Sequence, residues 1–220
     1  MKNRYRLSRS LKIKKKRKKI TADIHNYIVT SLSGITMFNF LAGKKAVNDN
    51  RQINSYHERI ETTSRKLMDA MGDIVWSINP QNDTLEDALL KMEGFAVKLL
   101  EVNGMEVQVI NSNELGNINL PLEFRRNILL IFREMIINTA KHSNASKVKL
   151  EFSLRHDNYR DKKIQIRVED NGSGFDTGRI YSGDGLKNLK SQSETIDGDI
   201  IIASEKGSGA LYLFSLIIKK

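Results

Sequence analysis

Glu169-Asp170-Asn171-Gly172-Ser173-Gly174-Phe175-Asp176 closes a run in which Ile164, Ile166 and Val168 alternate with Gln165 and Arg167. A period of two marks a half-buried strand. The strand stops on an acid and breaks into a turn with two glycines. Lacking a Cβ, glycine accepts positive φ and lets backbone approach a ligand closely. A carboxylate at the bottom of such a turn can accept a hydrogen bond from an exocyclic amine and so select adenine. Asn-Gly is also a common hairpin dipeptide, so the stretch alone fits a tight turn as well as a nucleotide site.

Three neighbouring segments extend the reading. Upstream, Phe132-Arg133-Glu134-Met135-Ile136-Ile137-Asn138-Thr139-Ala140-Lys141-His142 is a helical run in which Glu134, Asn138 and Lys141 are spaced i, i+4, i+7 and share one face. That face offers an acid, a neutral oxygen for a hard cation and a cation for phosphate. Downstream come Gly183-Asp184-Gly185-Leu186 and Gly207-Ser208-Gly209-Ala210. Eight of the fourteen glycines fall between Gly172 and Gly209, which favours a ligand-cradling region over scattered turns.

In this order the four segments resemble the N, G1, G2 and G3 boxes of the Bergerat-fold ATPase domain of sensor histidine kinases. The resemblance implies ATP and Mg²⁺ as cofactors, with Asn138 coordinating Mg²⁺ and Asp170 binding the adenine amine. It implies that Gly172 and Gly174 form the adenine turn and that Gly183, Gly185 and Leu186 belong to the phosphate lid. Gly207 and Gly209 would complete the site, with Lys141 on phosphate and Glu134 ordering the metal or its waters. One departure is Ala210, where the family usually has a threonine that helps hold a water beside the adenine. Weaker nucleotide binding is the expected consequence.

The 220 residues suffice for one large domain or two small ones with a real core. There are no cysteines, which excludes disulfides and thiolate metal sites. No apolar run is long enough to span a bilayer, and no apolar segment follows the basic start as in a secretory signal. A cytoplasmic protein is the expectation. The net charge of +10 is concentrated in an arm: residues 1–20 hold eleven Lys/Arg and no acid, leaving 25 basic against 26 acidic residues elsewhere. A nearly neutral body does not support nucleic-acid binding. The arm, residues 1–19, reads as a solvated, self-repelling tail; attraction to anionic lipid would add about 1 kcal/mol per basic residue near the surface.

From Ile20 to about Leu41, the residues Ile20, Ile24, Ile28, Leu32, Ile35 and Phe38 recur at helical spacing. A second helix is expected from about Arg51 to Ser77. Its seam pairs Ile53, Ile60, Leu67 and Ile74 with His57, Ser64, Met71 and Ile78, four residues further on. Two amphipathic helices cannot enclose their own stripes, whereas two such hairpins can, so a homodimeric four-helix bundle is expected. The segment from Ile20 to Ile28 resembles the phosphoacceptor box of kinases paired with helix-turn-helix response regulators. This implies that His25 accepts the γ-phosphoryl group of ATP and that such a regulator is the partner. The family usually has an acid directly after that histidine. Here Asn26 stands in its place and cannot take a proton at neutral pH, a loss of general base that typically costs a factor of about 10² to 10⁴. Of the other histidines, His57 reads as a core polar residue, His142 as a helix-closing cation suited to the dipole, and His156 as loop surface.

Proline ends the second helix at Trp76-Ser77-Ile78-Asn79-Pro80, and residues 79–83 read as a linker. Asp83-Thr84-Leu85-Glu86 resembles a capping box, opening a helix to about Val102 that Gly104 ends. A strand over Met105–Ile110, the Asn138 helix opened by Pro121, and a strand over 147–154 follow. A lid over 176–184, a helix over Leu186–Ile196 and a closing hairpin complete the chain. The expected class is α+β: a helical hairpin over 20–78, then an α/β sandwich over 84–220 with a mixed sheet and helices on one face. The resulting reading is a sensor histidine kinase core. An anti-sigma-type serine/threonine kinase shares the ATPase fold but has no need of the bundle or His25. A nucleotide-binding pseudokinase or dimeric interaction module is kept open by Asn26 and Ala210.

Overall fold

The computed structural model describes residues 28–42, 50–111, 118–156, 161–177 and 185–218; His25, Asn26, Gly183 and the basic arm lie outside them. The chain divides into two units, Met1–Trp76 and Ser77–Lys220.

The first unit contains two helices, α1 (residues 28–42) and α2 (Asn50–Ile78). The side of α1 carrying Ile28, Ile35, Phe38 and Ala42 is half-buried to buried. The Phe38 and Tyr56 rings stack at 6.4 Å, and the Arg59 guanidinium lies 5.6 Å from the Phe38 centroid. On α2, Ile53, Ile60, Ile74 and the buried Leu67 form the expected row. Its companion row sits mainly three residues on rather than four: Tyr56, Thr63 and Ala70 are half-buried, whereas of the expected row only Ser64 is half-buried and His57, Met71 and Ile78 are exposed. A single partner helix covers only the i, i+3, i+7 edge of its neighbour. His57 is therefore not a core residue of this chain. Leu32 likewise leaves the inner side and joins Val29 and Phe40 on an exposed apolar stripe, with Met68, Met71 and Val75 forming its counterpart on α2.

The second unit opens on a 3₁₀ turn, Pro80–Asn82, whose Gln81 N–H donates to the Asn79 side-chain oxygen at 3.1 Å. The capping box of α3 (Leu85–Val102) is one residue later than expected. Thr84 is the N-cap and Asp87 its reciprocal partner, while Asp83 pairs instead with Arg125, a guanidinium only 5% exposed. Backbone bonds from Leu120 N to Asp83 O and from Leu85 N to Ile118 O, both 2.8 Å, fasten the same segment.

Strand β1 (Glu106–Asn111), helix α4 (Leu122–His142), strands β2 (Lys147–His156) and β3 (Lys162–Asp170), helix α5 (Gly185–Glu194), and strands β4 (Gly198–Ser204) and β5 (Ala210–Ile218) follow. His156 ends β2, opposite Lys162, and so belongs to the sheet rather than to a loop. The strands run β1-β2-β3-β5-β4; β1 and β2 are parallel and the other pairs antiparallel. Alternation puts Ile164, Ile166, Val168 and Asp170 of β3 on the inner face. There they meet a core containing Phe132, Phe152 and Phe214, with the first two rings 5.7 Å apart. The outer face carries the Arg167–Glu169 ion pair at 2.8 Å and is partly solvated, the usual state of a one-sided sheet. Among the described residues, no helix is long and apolar enough to cross a membrane.

Candidate functional site

The end of β3 and the C-terminal half of α4 bring most of the singled-out residues together. Asp170 is 5% exposed. Its Oδ1 accepts the Gly172 N–H at 2.9 Å, while Oδ2 is buried with no partner. Burial pushes its pKa above the usual carboxylate value, against the opposing pull of backbone N–H groups of Gly172 and Ala210. On α4, the Asn138 amide nitrogen is also buried without a partner. Glu134 and Asn138 are half-buried and Lys141 is exposed, grading from interior to solvent along the shared face.

Gly185 begins α5 against that face. A Cβ added there would lie 2.6 Å from a Glu134 carboxylate oxygen and 3.5 Å from Asn138 Oδ1, so a larger residue would displace the Glu134 side chain. Leu186 follows, half-buried. Gly209 holds φ 75°, a conformation L-residues avoid, and a Cβ on it would lie 2.0 Å from the Asp170 carbonyl oxygen. Gly172 and Gly174 press on the carbonyls of Ser143 and Glu205, whereas Gly207 turns in the open.

Several residues that fix this geometry escaped the sequence reading. The Ser173 N–H donates to the Ser143 carbonyl at 2.6 Å, and the Gly207 N–H to the Ser173 carbonyl at 2.7 Å. The Asn171 side-chain oxygen accepts from the N–H groups of Ser146 and Lys147 at 3.0 and 2.9 Å. Ser204 Oγ accepts the Phe175 N–H at 2.8 Å and donates to the Gly209 carbonyl at 2.7 Å. The glycine turn is thus stitched to the end of α4, the start of β2 and the β4–β5 connection. Tyr212, on the inner side of β5, is 3% exposed.

What remains unsatisfied inside this frame is polar. A buried carboxylate oxygen and a buried amide without partners are costly unless something else bonds them. A purine amine fits the former. The orphaned amide nitrogen is a donor and fits a phosphate oxygen, while the same amide's oxygen, beside an acid, fits a hard cation. Among the described residues, no three His, Cys, Asp or Glu are grouped so as to hold a metal. A shallow cavity of about 370 Å³ lies at the same end of the sheet, lined by Glu169, Ala203, Glu205 and Leu211 among others. Its lining also includes Asp170, Gly209 and Ala210 of the turn, and neither Glu134 nor Asn138.

Residues 125–220 match the family model described as "Histidine kinase-, DNA gyrase B-, and HSP90-like ATPase". Sensor histidine kinase YvfT of Bacillus subtilis is 22% identical over 212 residues, which are 96% of this chain and 53% of that protein. Sensor protein VraS of Staphylococcus aureus is 31% identical over 98 residues, 44% of this chain and 27% of that protein. The chain thus spans about half the length of the first relative and about a quarter of the second. In fold it is similar to the histidine kinase domain of the blue-light activated kinase EL346 of Erythrobacter litoralis, with TM-score 0.56, 13% identity and coverage of 85% of this chain and 93% of that one. The histidine kinase AdeS of Acinetobacter baumannii gives TM-score 0.53, 16% identity and coverage of 83% and 94%.

Proposed function

From a chain whose residues 125–220 carry a histidine kinase-type ATPase domain, we propose a sensor histidine kinase core that binds Mg-ATP, phosphorylates its own His25 and passes the phosphoryl group to a response regulator. The observation that carries the nucleotide site is Asp170 Oδ2, a buried carboxylate oxygen without a partner beside the glycine turn, with Asn138 Nδ2 and Thr139 Oγ1 of α4 also buried without partners. Asp170 accepts the adenine amine, with Gly172 and Gly174 shaping the turn around the base. Asn138 offers its amide oxygen to Mg²⁺, Lys141 neutralises phosphate charge and Glu134 orders the waters between them. Gly183, Gly185 and Leu186 close over the phosphates, and Gly207 with Gly209 backs the base. Held there by Asn138, Mg²⁺ would supply positive charge against the negative charge that builds up on the phosphates during transfer.

The imidazole of His25 attacks the γ-phosphorus, the bond to the bridging oxygen breaks and ADP leaves. Residue 26, where the family usually has an acid, is an amide that cannot take a proton at neutral pH, so the ring's proton leaves to water and transfer is slow. Homodimerisation follows from the stripes Val29, Leu32, Phe40 and Met68, Met71, Val75, exposed in a single chain; a second hairpin of the same sequence covers them. The regulator carries a helix-turn-helix output domain, and the core works in the cytoplasm with its basic arm near anionic lipid.

Incubation with γ-labelled ATP tests the reading. The expected result is an acid-labile, base-stable phosphoprotein that is lost in His25→Ala and formed faster in Asn26→Asp. A stable ester on a partner protein would mean an anti-sigma-type kinase, and nucleotide binding without label a non-catalytic module.

A further inference from the structure

We propose that Tyr212 is a base-reading residue of the nucleotide pocket, its phenol donating to the purine ring nitrogen next to the amine that Asp170 receives, directly or through one water. This rests on the nucleotide reading above and adds a specificity determinant to it.

Asp170 alone can recognise only a donor. Adenine presents that donor beside an acceptor, N1, and a site complementary to both must add a donor of its own. The strand facing Asp170 limits where it can come from. Ala210 pairs with Asp170 in register and offers a methyl group. The next inner-face residue on β5 is Tyr212, paired with Val168 and Ile202. Its side chain is 3% exposed, and its phenol feels the charges of both pocket acids, Asp170 from β3 and Glu134 from α4. A buried phenol facing two carboxylates is held in its protonated form, since burial first and then the two acids push its pKa up. It therefore stays a donor throughout the physiological range. The same strand position filled by phenylalanine would bury similar apolar area without the hydroxyl. Buried tyrosines usually give their hydroxyl a hydrogen-bond partner. The pocket's ligand provides one.

The pairing also sets selectivity. Guanine puts an acceptor oxygen at position 6 against the acceptor-only Asp170 carboxylate, and its N1 hydrogen denies the Tyr212 hydroxyl the acceptor that adenine offers. Losing hydrogen bonds that a site is built to make is how large discrimination arises.

Calorimetry with ADP and 1-deaza-ADP, which lacks the ring nitrogen, tests the assignment on the unaltered chain and Tyr212→Phe. The expected result is that Tyr212→Phe binds ADP about five- to tenfold more weakly, while its affinity for 1-deaza-ADP equals that of the unaltered chain. Equal ADP affinity in the two proteins would overturn the assignment, as would equal losses on both ligands, which would indicate packing alone. If the unaltered chain bound neither ligand, the nucleotide site itself would fall and this inference with it.

Discussion

The two units of this molecule leave opposite things unfinished. In the sandwich, the apolar side chains of α3, α4 and the inner sheet face close on one another, and what stays unsatisfied is polar, including a carboxylate oxygen at the end of β3 and an amide nitrogen on α4. In the hairpin, one side of each helix packs and an apolar stripe of Val29, Leu32 and Phe40, with Met68, Met71 and Val75, stays exposed. An orphaned polar group inside a self-sufficient fold calls for a small ligand of matching hydrogen bonds. An apolar stripe outside calls for a macromolecular surface, because its cost scales with the area left in water.

The largest expected effect lies on the hairpin. Leu32→Glu combined with Met71→Glu removes two apolar contacts from each copy of a symmetric interface. At roughly 1.5–3 kcal/mol per buried side chain, dimerisation should be abolished at micromolar concentration in sedimentation equilibrium. Melting of the sandwich should be unchanged; a variant that stays dimeric would break the comparison. Next comes Phe132→Ala, which empties part of the aromatic core. It should cost the sandwich about 3–5 kcal/mol in denaturant unfolding and leave the hairpin dimeric.

Asp170→Asn should act in two directions. Nucleotide affinity should fall by about ten- to a hundredfold, the worth of a hydrogen bond to a charged group, yet the ligand-free domain should be no less stable at neutral pH. The raised pKa means that the native state holds this proton more tightly than the unfolded chain. Its contribution to stability is full below the ordinary carboxylate pKa and is lost as pH rises through the raised value. Asp170→Asn should flatten that part of the stability–pH curve, which urea titrations at stepped pH would measure. Smallest is Ala210→Thr, which adds one hydroxyl opposite Asp170 and should tighten ADP binding a few-fold, about 1 kcal/mol or less; weaker binding would show that the methyl is needed for space.

The strands, α4 and the glycine segments were legible because each writes a period or a backbone requirement into consecutive residues. Ile164, Ile166 and Val168 alternate, and Glu134, Asn138 and Lys141 keep helical spacing. The stitching of the turn was not legible. Ser143, Asn171 and Ser204 act on backbone groups of Ser173, Lys147 and Phe175, far away in sequence, and serines and asparagines look alike until the segments meet. The cap of α3 slipped by one residue because Asp83/Glu86 and Thr84/Asp87 both fit the pattern. Arg125, distant in sequence, takes Asp83 and leaves Thr84 to the helix. On α2 the heptad allowed a companion row three or four residues on, and only the partner helix decides between them. Tyr212 read as one more alternating strand residue, since nothing local marks a tyrosine as facing two acids.

The central claim is a pocket in which residue 170 binds a base and residue 138 serves the metal. Titration of ATP into the unaltered chain and into Asn138→Ala, each with and without Mg²⁺, tests it most directly. The account predicts one saturable site per chain whose affinity rises with Mg²⁺, and a variant in which that Mg²⁺-dependent gain has disappeared. Binding that is indifferent to Mg²⁺ in the unaltered chain, or a gain that survives in Asn138→Ala, would contradict it.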